Sequence, residues 1–386
     1  MKVIFFAAYD GFFCKFCLPL ARSLRDRQID VVLMSPPGDS IAQFKEEGFR
    51  WLPLPMKRSS LNPLRELFVL RSVYAACRQE APDAMHSFCI KAVVYGGLAA
   101  QAARVKKRIH AVTGMGYVFS SSSLKARLLR PVVKALLKLA LRGKESLLIV
   151  QNPDDRQLFI DCNVIQPDKI HLIRASGSGV DADYFSPARQ QRSGKFKVLL
   201  AARLLREKGI KEYAAAAALL AHRVGQVEFL LAGAPDDGNP GSLTNAEITE
   251  IKQVGHVTVL GYVADMRRLL NEVDLFVLPS YYREGVPQVL LEAASMSRPL
   301  ITTDAPGCRE TVADGVNGFL IPARNAAALV EKIEYLLDHP ELCLAFGRAG
   351  REKVLQEFDQ KIIFQCGFKF QVQLFGRLPR IAFLAC

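Results

Sequence analysis

Short apolar runs recur along the chain, separated by segments whose apolar residues fall three and four positions apart. VIFFAA (3–8), DVVLMSP (30–36), LLIVQN (147–152), FKVLLAA (196–202), FLLAG (229–233), VTVLGYV (257–263), DLFVLPS (274–280) and PLITT (299–303) are brief and almost uniformly apolar. Such runs suit strands buried on both faces, as in a parallel sheet covered by helices. Residues 17–27 and 124–144 instead show the period of amphipathic helices. This alternation predicts an α/β protein built from doubly wound parallel sheets.

At 386 residues the chain is long enough for two such sheets, each with its own core. A polar stretch with Pro and Gly at 186–194 reads as the hinge between them. The expected division is residues 1–185, residues 186–358, and a divergent tail at 359–386. That tail carries no acid from Gln360 onward and reads as neither helical nor soluble. MKVIFFAAYDG reads as a first strand, since its apolar run breaks at Asp10 without a cleavage pattern. No run of 18 apolar residues predicts a membrane-spanning helix.

Charge changes the picture of the first half. Of the net +13, residues 1–185 hold 27 Lys and Arg against 16 Asp and Glu, or +11, leaving +2 for the rest. A basic half beside a near-neutral one points to an anionic surface or ligand. Arg127, Arg130, Lys134, Lys138 and Arg142 recur at helical spacing beside Leu129, Val133, Leu136, Leu137 and Ala140. Such a helix suits an anionic membrane surface, or equally an ordinary solvated face. No interleaved aromatic and basic motif argues for nucleic acid. Nine scattered cysteines fit a reducing compartment better than a disulfide framework. Cys14-x-x-Cys17 lacks the second pair or histidine that a zinc site needs.

The chemistry concentrates between Asp274 and Pro322. After the strand DLFVLPS comes a loop with Glu284, then Gly285-Val286-Pro287 at a helix start, then Glu292 within an apolar helix. A helix start offers N–H groups to an anion, and a carboxylate at Glu292 can accept two hydrogen bonds from a ribose diol. Gln288, Glu292 and Ser295 also fit the polar stripe of an amphipathic helix. Upstream, Arg203 and Lys208 flank a strand-to-helix turn, five residues apart, where both can reach one diphosphate. The loop at Gly11 belongs to the ligand edge of the first sheet, and it lacks the G-x-G-x-x-G of nicotinamide enzymes.

E-G-V-P-x-x-x-x-E, then P-L-I-T-T-D-x-x-G-x-x-E and G-x-N-G-F-L, resembles the C-terminal half of family 4 retaining glycosyltransferases. The R-x-x-x-x-K-G block at Arg203 and Lys208 resembles the same family, as does G-V-D at 179–181. T-G-M-G-Y-V-F (113–119) resembles a branch that builds bacterial cell-surface polysaccharides or lipid-linked oligosaccharides. The resemblance implies the GT-B architecture, two Rossmann-like domains facing across a cleft that closes and excludes water. It implies Arg203, Lys208 and Glu284 as catalytic residues, the cations neutralising a leaving diphosphate without a metal. It implies donor contacts from Gly11, Gly233, Gly261, Tyr262, Val263, Gly285, Val286, Pro287 and Glu292, with uracil near 261–263. Acceptor-side candidates are His86 and Lys91, in a block resembling H-x-H-x-x-K, and Thr113, where other branches have histidine. The expected reaction moves a sugar, with retention, from a UDP-sugar to a polyprenyl-diphosphate-linked saccharide at the inner face of the cytoplasmic membrane. No cofactor and no metal are expected. A sugar-nucleotide epimerase, or a non-catalytic binder of nucleotide sugars or anionic lipids, is the alternative.

Overall fold

A computed structural model describes residues 1–57, 60, 62–120, 123–174, 179–188, 194–236, 239–254 and 256–363. Two compact units emerge, one from residues 1–178 with Ile363, the other from residues 179–362.

The first unit is a parallel sheet of seven strands: β1 (Lys2–Ala7), β2 (Asp30–Ser35), β3 (Arg50–Pro53), β4 (Ala84–Phe88), β5 (Lys107–Val112), β6 (Ser146–Val150) and β7 (Ile170–Leu172). Their spatial order is β3-β2-β1-β4-β5-β6-β7. The alternation within β1 explains why its whole run is apolar. Val3, Phe5 and Ala7 enter one core with Phe13, Leu18, Leu24 and Phe44. Ile4 and Phe6 enter another with Val69, Val73 and Ala99 on the opposite face.

The second unit repeats the plan with β8 (Phe196–Ala201), β9 (Val227–Ala232), β10 (Val257–Gly261), β11 (Leu275–Leu278), β12 (Leu300–Thr303) and β13 (Gly318–Ile321). Its order is β10-β9-β8-β11-β12-β13, and every pairing is parallel. In both sheets the chain first winds outward one way and then crosses over to wind the other. The reversal lies between β1 and β4, and between β8 and β11. Loops leaving the carboxyl ends of those strand pairs diverge, which opens a ligand crevice there.

The end of the second unit departs from expectation. Helix Pro340–Lys353 runs into a π-helical turn, Val354–Phe358. Val180 and Asp359 then form a bridge, and Gln360 N–H donates to the Val180 carbonyl at 2.9 Å. Residues 360–363 are helical, although the sequence reads otherwise there. The cause is local, because the Asp359 carboxylate accepts the Lys361 N–H at 2.8 Å as a cap does. The remainder of the tail, 364–386, lies outside the described residues. So do 175–178 of the linker block and 189–193 of the hinge.

Candidate functional site

The two loops that leave the switch point of the second sheet carry the charged residues singled out in the sequence. After β8 the chain makes a short 3₁₀ turn, Arg206–Lys208, and Gly209 starts the helix Ile210–Leu219. Gly209 has φ of +75°, and a Cβ there would lie 2.2 Å from the Pro279 carbonyl oxygen. Only glycine lets this turn press against the end of β11. The β11 loop answers with three donors to a single acceptor. Tyr281 N–H at 2.9 Å, Tyr282 N–H at 3.0 Å and Ser280 Oγ at 3.2 Å all reach the Glu207 carbonyl. The two loops are thereby stitched together one residue before Lys208.

This stitching sets the central contact. Lys208 Nζ donates to Glu284 Oε1 and forms an ion pair with it. Ser280 Oγ donates to the same oxygen at 3.4 Å, and the Lys208 ammonium stands 5.7 Å from the Tyr282 ring centroid. The Lys208 side chain is only 9% exposed. A lysine at a helix start would ordinarily be solvated; here Gly209 pulls the turn inward, and the β11 loop closes over it.

Arg203 stays at the edge, 43% exposed, and pairs with Asp236. Burial alone would pull its pKa down, but Asp236, Tyr282 and Glu284 together outweigh that and hold the guanidinium above its ordinary value. Its loop is braced from the β9 side. Leu204 N–H donates to the Ala234 carbonyl at 2.9 Å, and Arg206 N–H to the Gly241 carbonyl at 2.9 Å. Arg206 also forks onto Glu247 at 3.2 and 2.6 Å, and Glu247 closes a capping box with Thr244. Asp236, Glu207 and Ser280 went unnoticed in the sequence. An acid three residues past the ligand-edge glycine Gly233 was the available signal for Asp236.

The expected donor residues gather along the same carboxyl edge. Gly233 follows β9 and Gly261 ends β10, and the Gly233 N–H donates to the Gly261 carbonyl at 2.7 Å. A Cβ on Gly233, at φ +145°, would meet the Ala202 carbonyl oxygen at 1.8 Å. Tyr262 beyond it is exposed, and Val263 half-buried. Gly285, Val286 and Pro287 are buried ahead of the helix Gln288–Ser295, with Pro287 as its N-cap. Glu292 is half-buried on that helix. Its neighbours are not a solvated stripe. Ser295 is fully buried and donates to the Phe185 carbonyl at 2.7 Å, while Gln288 Oε1 is shielded from solvent. Arg351 reaches the same Phe185 and Ser295 carbonyls at 3.1 and 2.6 Å, so the end of the Glu292 helix is firmly held.

In the first unit, Gly11, Lys91 and Thr113 follow the adjacent strands β1, β4 and β5 at their carboxyl edge. His86 does not join them. It sits in the middle of β4, 1% exposed, packed against Phe5 and Phe88 with ring centroids 5.3 and 4.0 Å away. Burial first, and His110 second, push its pKa down to about 3. Neither ring nitrogen has a partner among the described residues. Lys91 is engaged within its own unit. It donates to the carbonyls of Lys57 and Ser60 at 2.7 and 3.0 Å, and pairs with Glu66 at 3.1 Å. Three N–H donors thus meet three partners. Thr113 Oγ1 lies 3.7 Å from Cys89 Sγ. Cys14 and Cys17 are free thiols, as are the other described cysteines. Burial pushes the Cys17 thiol far up. Among the described residues no three His, Cys, Asp or Glu side chains converge as metal ligands would, and no helix is long and apolar enough to cross a membrane.

Two family models divide the chain between them. Residues 2–152 match the glycosyl transferase 4-like domain, and residues 183–353 match glycosyl transferases group 1. The chain is a glycosyltransferase with a 4-like first domain and a group 1 second domain. This glycosyltransferase is similar to the N,N'-diacetylbacillosaminyl-diphospho-undecaprenol alpha-1,3-N-acetylgalactosaminyltransferase of Campylobacter jejuni. The two are 28% identical over 95% of this chain and 96% of the relative. It is also similar to the UDP-Gal:alpha-D-GlcNAc-diphosphoundecaprenol alpha-1,3-galactosyltransferase of Escherichia coli, 25% identical over 87% of each. Anabaena HepE, solved in complex with UDP, shares the GT-B fold at a TM-score of 0.76. It is 20% identical and matches 97% of this chain and 100% of HepE. The glycosyltransferase thus has two Rossmann-like domains.

Proposed function

We propose that this glycosyltransferase moves a sugar from a UDP-sugar to a hydroxyl of a polyprenyl-diphosphate-linked saccharide, with retention at the anomeric carbon. The acceptor class is that named for the Campylobacter and Escherichia relatives, and a UDP donor is named for the latter. The observation that carries the reading is the meeting of Arg203, Lys208 and Glu284 at the switch point between β8 and β11.

A departing nucleoside diphosphate gathers negative charge on its terminal phosphate. Two fixed cations at a sheet crevice stabilise that charge without reorganising, the kind of preorganised electrostatics that lowers a barrier most. Lys208 is held for this by the Gly209 turn, and Arg203 by Asp236 and the braced loop. With both cations supplied by the chain, the reaction is metal-independent. Glu284, bonded to Lys208, keeps that partner while it accepts hydroxyls of the donor sugar, and Glu292 receives the ribose diol. No enzymic base is assigned, and the leaving phosphate accepts the acceptor's proton. Gly261, Tyr262 and Val263 border the nucleobase. The enzyme works as a peripheral protein at the inner face of an anionic membrane, where such an acceptor is embedded.

Incubation with radiolabelled UDP-sugars, with and without a lipid-linked acceptor, tests this. Labelled lipid product whose anomeric configuration matches that of the donor supports it. An epimerised nucleotide sugar, or label retained without transfer, would replace it with one of the two rival readings.

A further inference from the structure

Two helices of the first unit turn an apolar and basic face outward. Helices Pro63–Glu80 and Leu124–Ala140 both pack on Ile90–Ala102, so they share one layer over the sheet. The first buries Val69, Val73 and Cys77 and the second Ala126, Leu137 and Ala140. On the opposite side of each, large apolar residues stand in solvent. Leu64 is 80% and Phe68 60% exposed, with Leu67 and Tyr74 beside them. Leu124 is 71% and Leu128 67% exposed, and Val132, Leu136 and Leu139 continue that stripe. The spacing of four from Leu124 to Leu128, Val132 and Leu136 keeps these on one helical face.

The charges between them are all of one sign. Arg65, Arg71 and Arg78 are exposed on the first helix, and Lys125, Arg127 and Lys138 on the second. The only acids of the first helix are committed inward, Glu66 to Lys91 and Tyr95, and Glu80 to Lys2 and Arg50. The second helix contains no acid. A second copy of the chain would bring cation against cation on such a face. An anionic lipid surface complements it, taking leucines into the acyl boundary and leaving the cations at the headgroups.

We infer that the first unit docks on anionic bilayers through both helices, with apolar side chains inserted and not by charge alone. This deepens the functional reading, on which it rests for its purpose, by naming the surface that meets the membrane of the acceptor. It also changes what salt does. Attachment through the basic stripe alone would vanish as the Debye length shrinks to a few Å, roughly 3 Å at 1 M. Inserted leucines leave part of the binding in place.

Cosedimentation with phosphatidylcholine vesicles, with and without phosphatidylglycerol, tests this on the full chain. Wild type is expected to prefer the anionic vesicles roughly tenfold or more, with residual binding at high salt. Phe68→Ser with Leu128→Ser should remove the salt-resistant part, and Arg71→Gln, Lys125→Gln and Arg127→Gln together the salt-sensitive part. Phe68→Ser alone should weaken binding severalfold, because the first helix takes part. These positions are exposed, so unchanged melting confirms that each variant folds. Anionic-vesicle binding by the double variant equal to wild type would overturn the inference. So would a wild-type dimer that the double variant dissociates without a change in vesicle binding. UDP release to a water-soluble saccharide acceptor, read on the same preparations, reports the transferase reading separately. If it is absent while the vesicle results hold, docking stands and the function falls.

Discussion

Lys208 and Glu284, 76 positions apart in the chain, meet as an ion pair where the loops after β8 and β11 diverge. The pair occupies the place in a doubly wound sheet where ligands bind, and on the proposed reading it holds a cation ready for the donor's diphosphate.

Removing either cation should cost turnover. Arg203→Ala and Lys208→Ala are each expected to lower kcat by roughly 10²–10³, the effect of losing one transition-state donor. Their stabilities should diverge. Arg203 is partly solvated, so its variant should melt near wild type. Lys208 is buried against Glu284, and losing it leaves a carboxylate short of its partner, at a cost of about 3 kcal/mol. Steady-state kinetics and thermal melts on both variants check the contrast.

The two glutamates should separate kinetically. Glu292→Gln should raise the donor KM with little change in kcat, because a ribose contact is equal in ground and transition states. Glu284→Gln should lower kcat more, since on the proposed reading that carboxylate faces the reacting sugar, and it also holds Lys208. The reverse pattern would exchange their roles.

Much of this was legible in the sequence, and the reasons are specific. Fully apolar runs such as FKVLLAA announced strands covered on both faces, and the order of charged blocks placed Arg203, Lys208, Glu284 and Glu292 on one sheet edge. What spacing could not convey was burial. Nothing in R-E-K-G says that Gly209 presses on the Pro279 carbonyl and takes Lys208 inside. Nothing in H-S-F-C-I-K distinguishes a strand end from a strand centre, so His86 looked available when it is packed against Phe5. The basic stripe at 124–142 was visible, but not that its leucines at four-residue spacing face outward, because either apolar side of such a helix fits a core.

Acid should destabilise the first unit through its buried histidines. His86 and His110 are both pushed down to about 3 by burial, His110 with a further contribution from Arg108. Both stay neutral in the fold while the unfolded chain takes up protons near pH 6.5. Depressed folded values mean the stability is fully present above that pH and is lost as pH falls from about 6.5 toward 3. Each histidine contributes a slope of up to about 1.4 kcal/mol per pH unit. His86→Phe should shallow the acid limb of a denaturation series, and an unchanged limb would contradict the burial argument.

Lys91→Met should act on the fold before it acts on any acceptor. Its ammonium ties helix Pro63–Glu80, through Glu66, to helix Ile90–Ala102. Melting should fall by several degrees while the acceptor KM, measured below the melt, stays within about twofold. A large KM change with wild-type melting would return Lys91 to the acceptor site.

The most direct test of the account is acceptor-dependent UDP release, measured in EDTA for wild type and Arg203→Ala across a panel of UDP-sugars. The structure predicts turnover by wild type with at least one donor, undiminished by chelation, and a loss of roughly 10²–10³ in the well-folded Arg203→Ala protein. Wild-type turnover in that variant, or activity abolished by EDTA and restored by magnesium, would contradict a diphosphate site built from this chain's own cations.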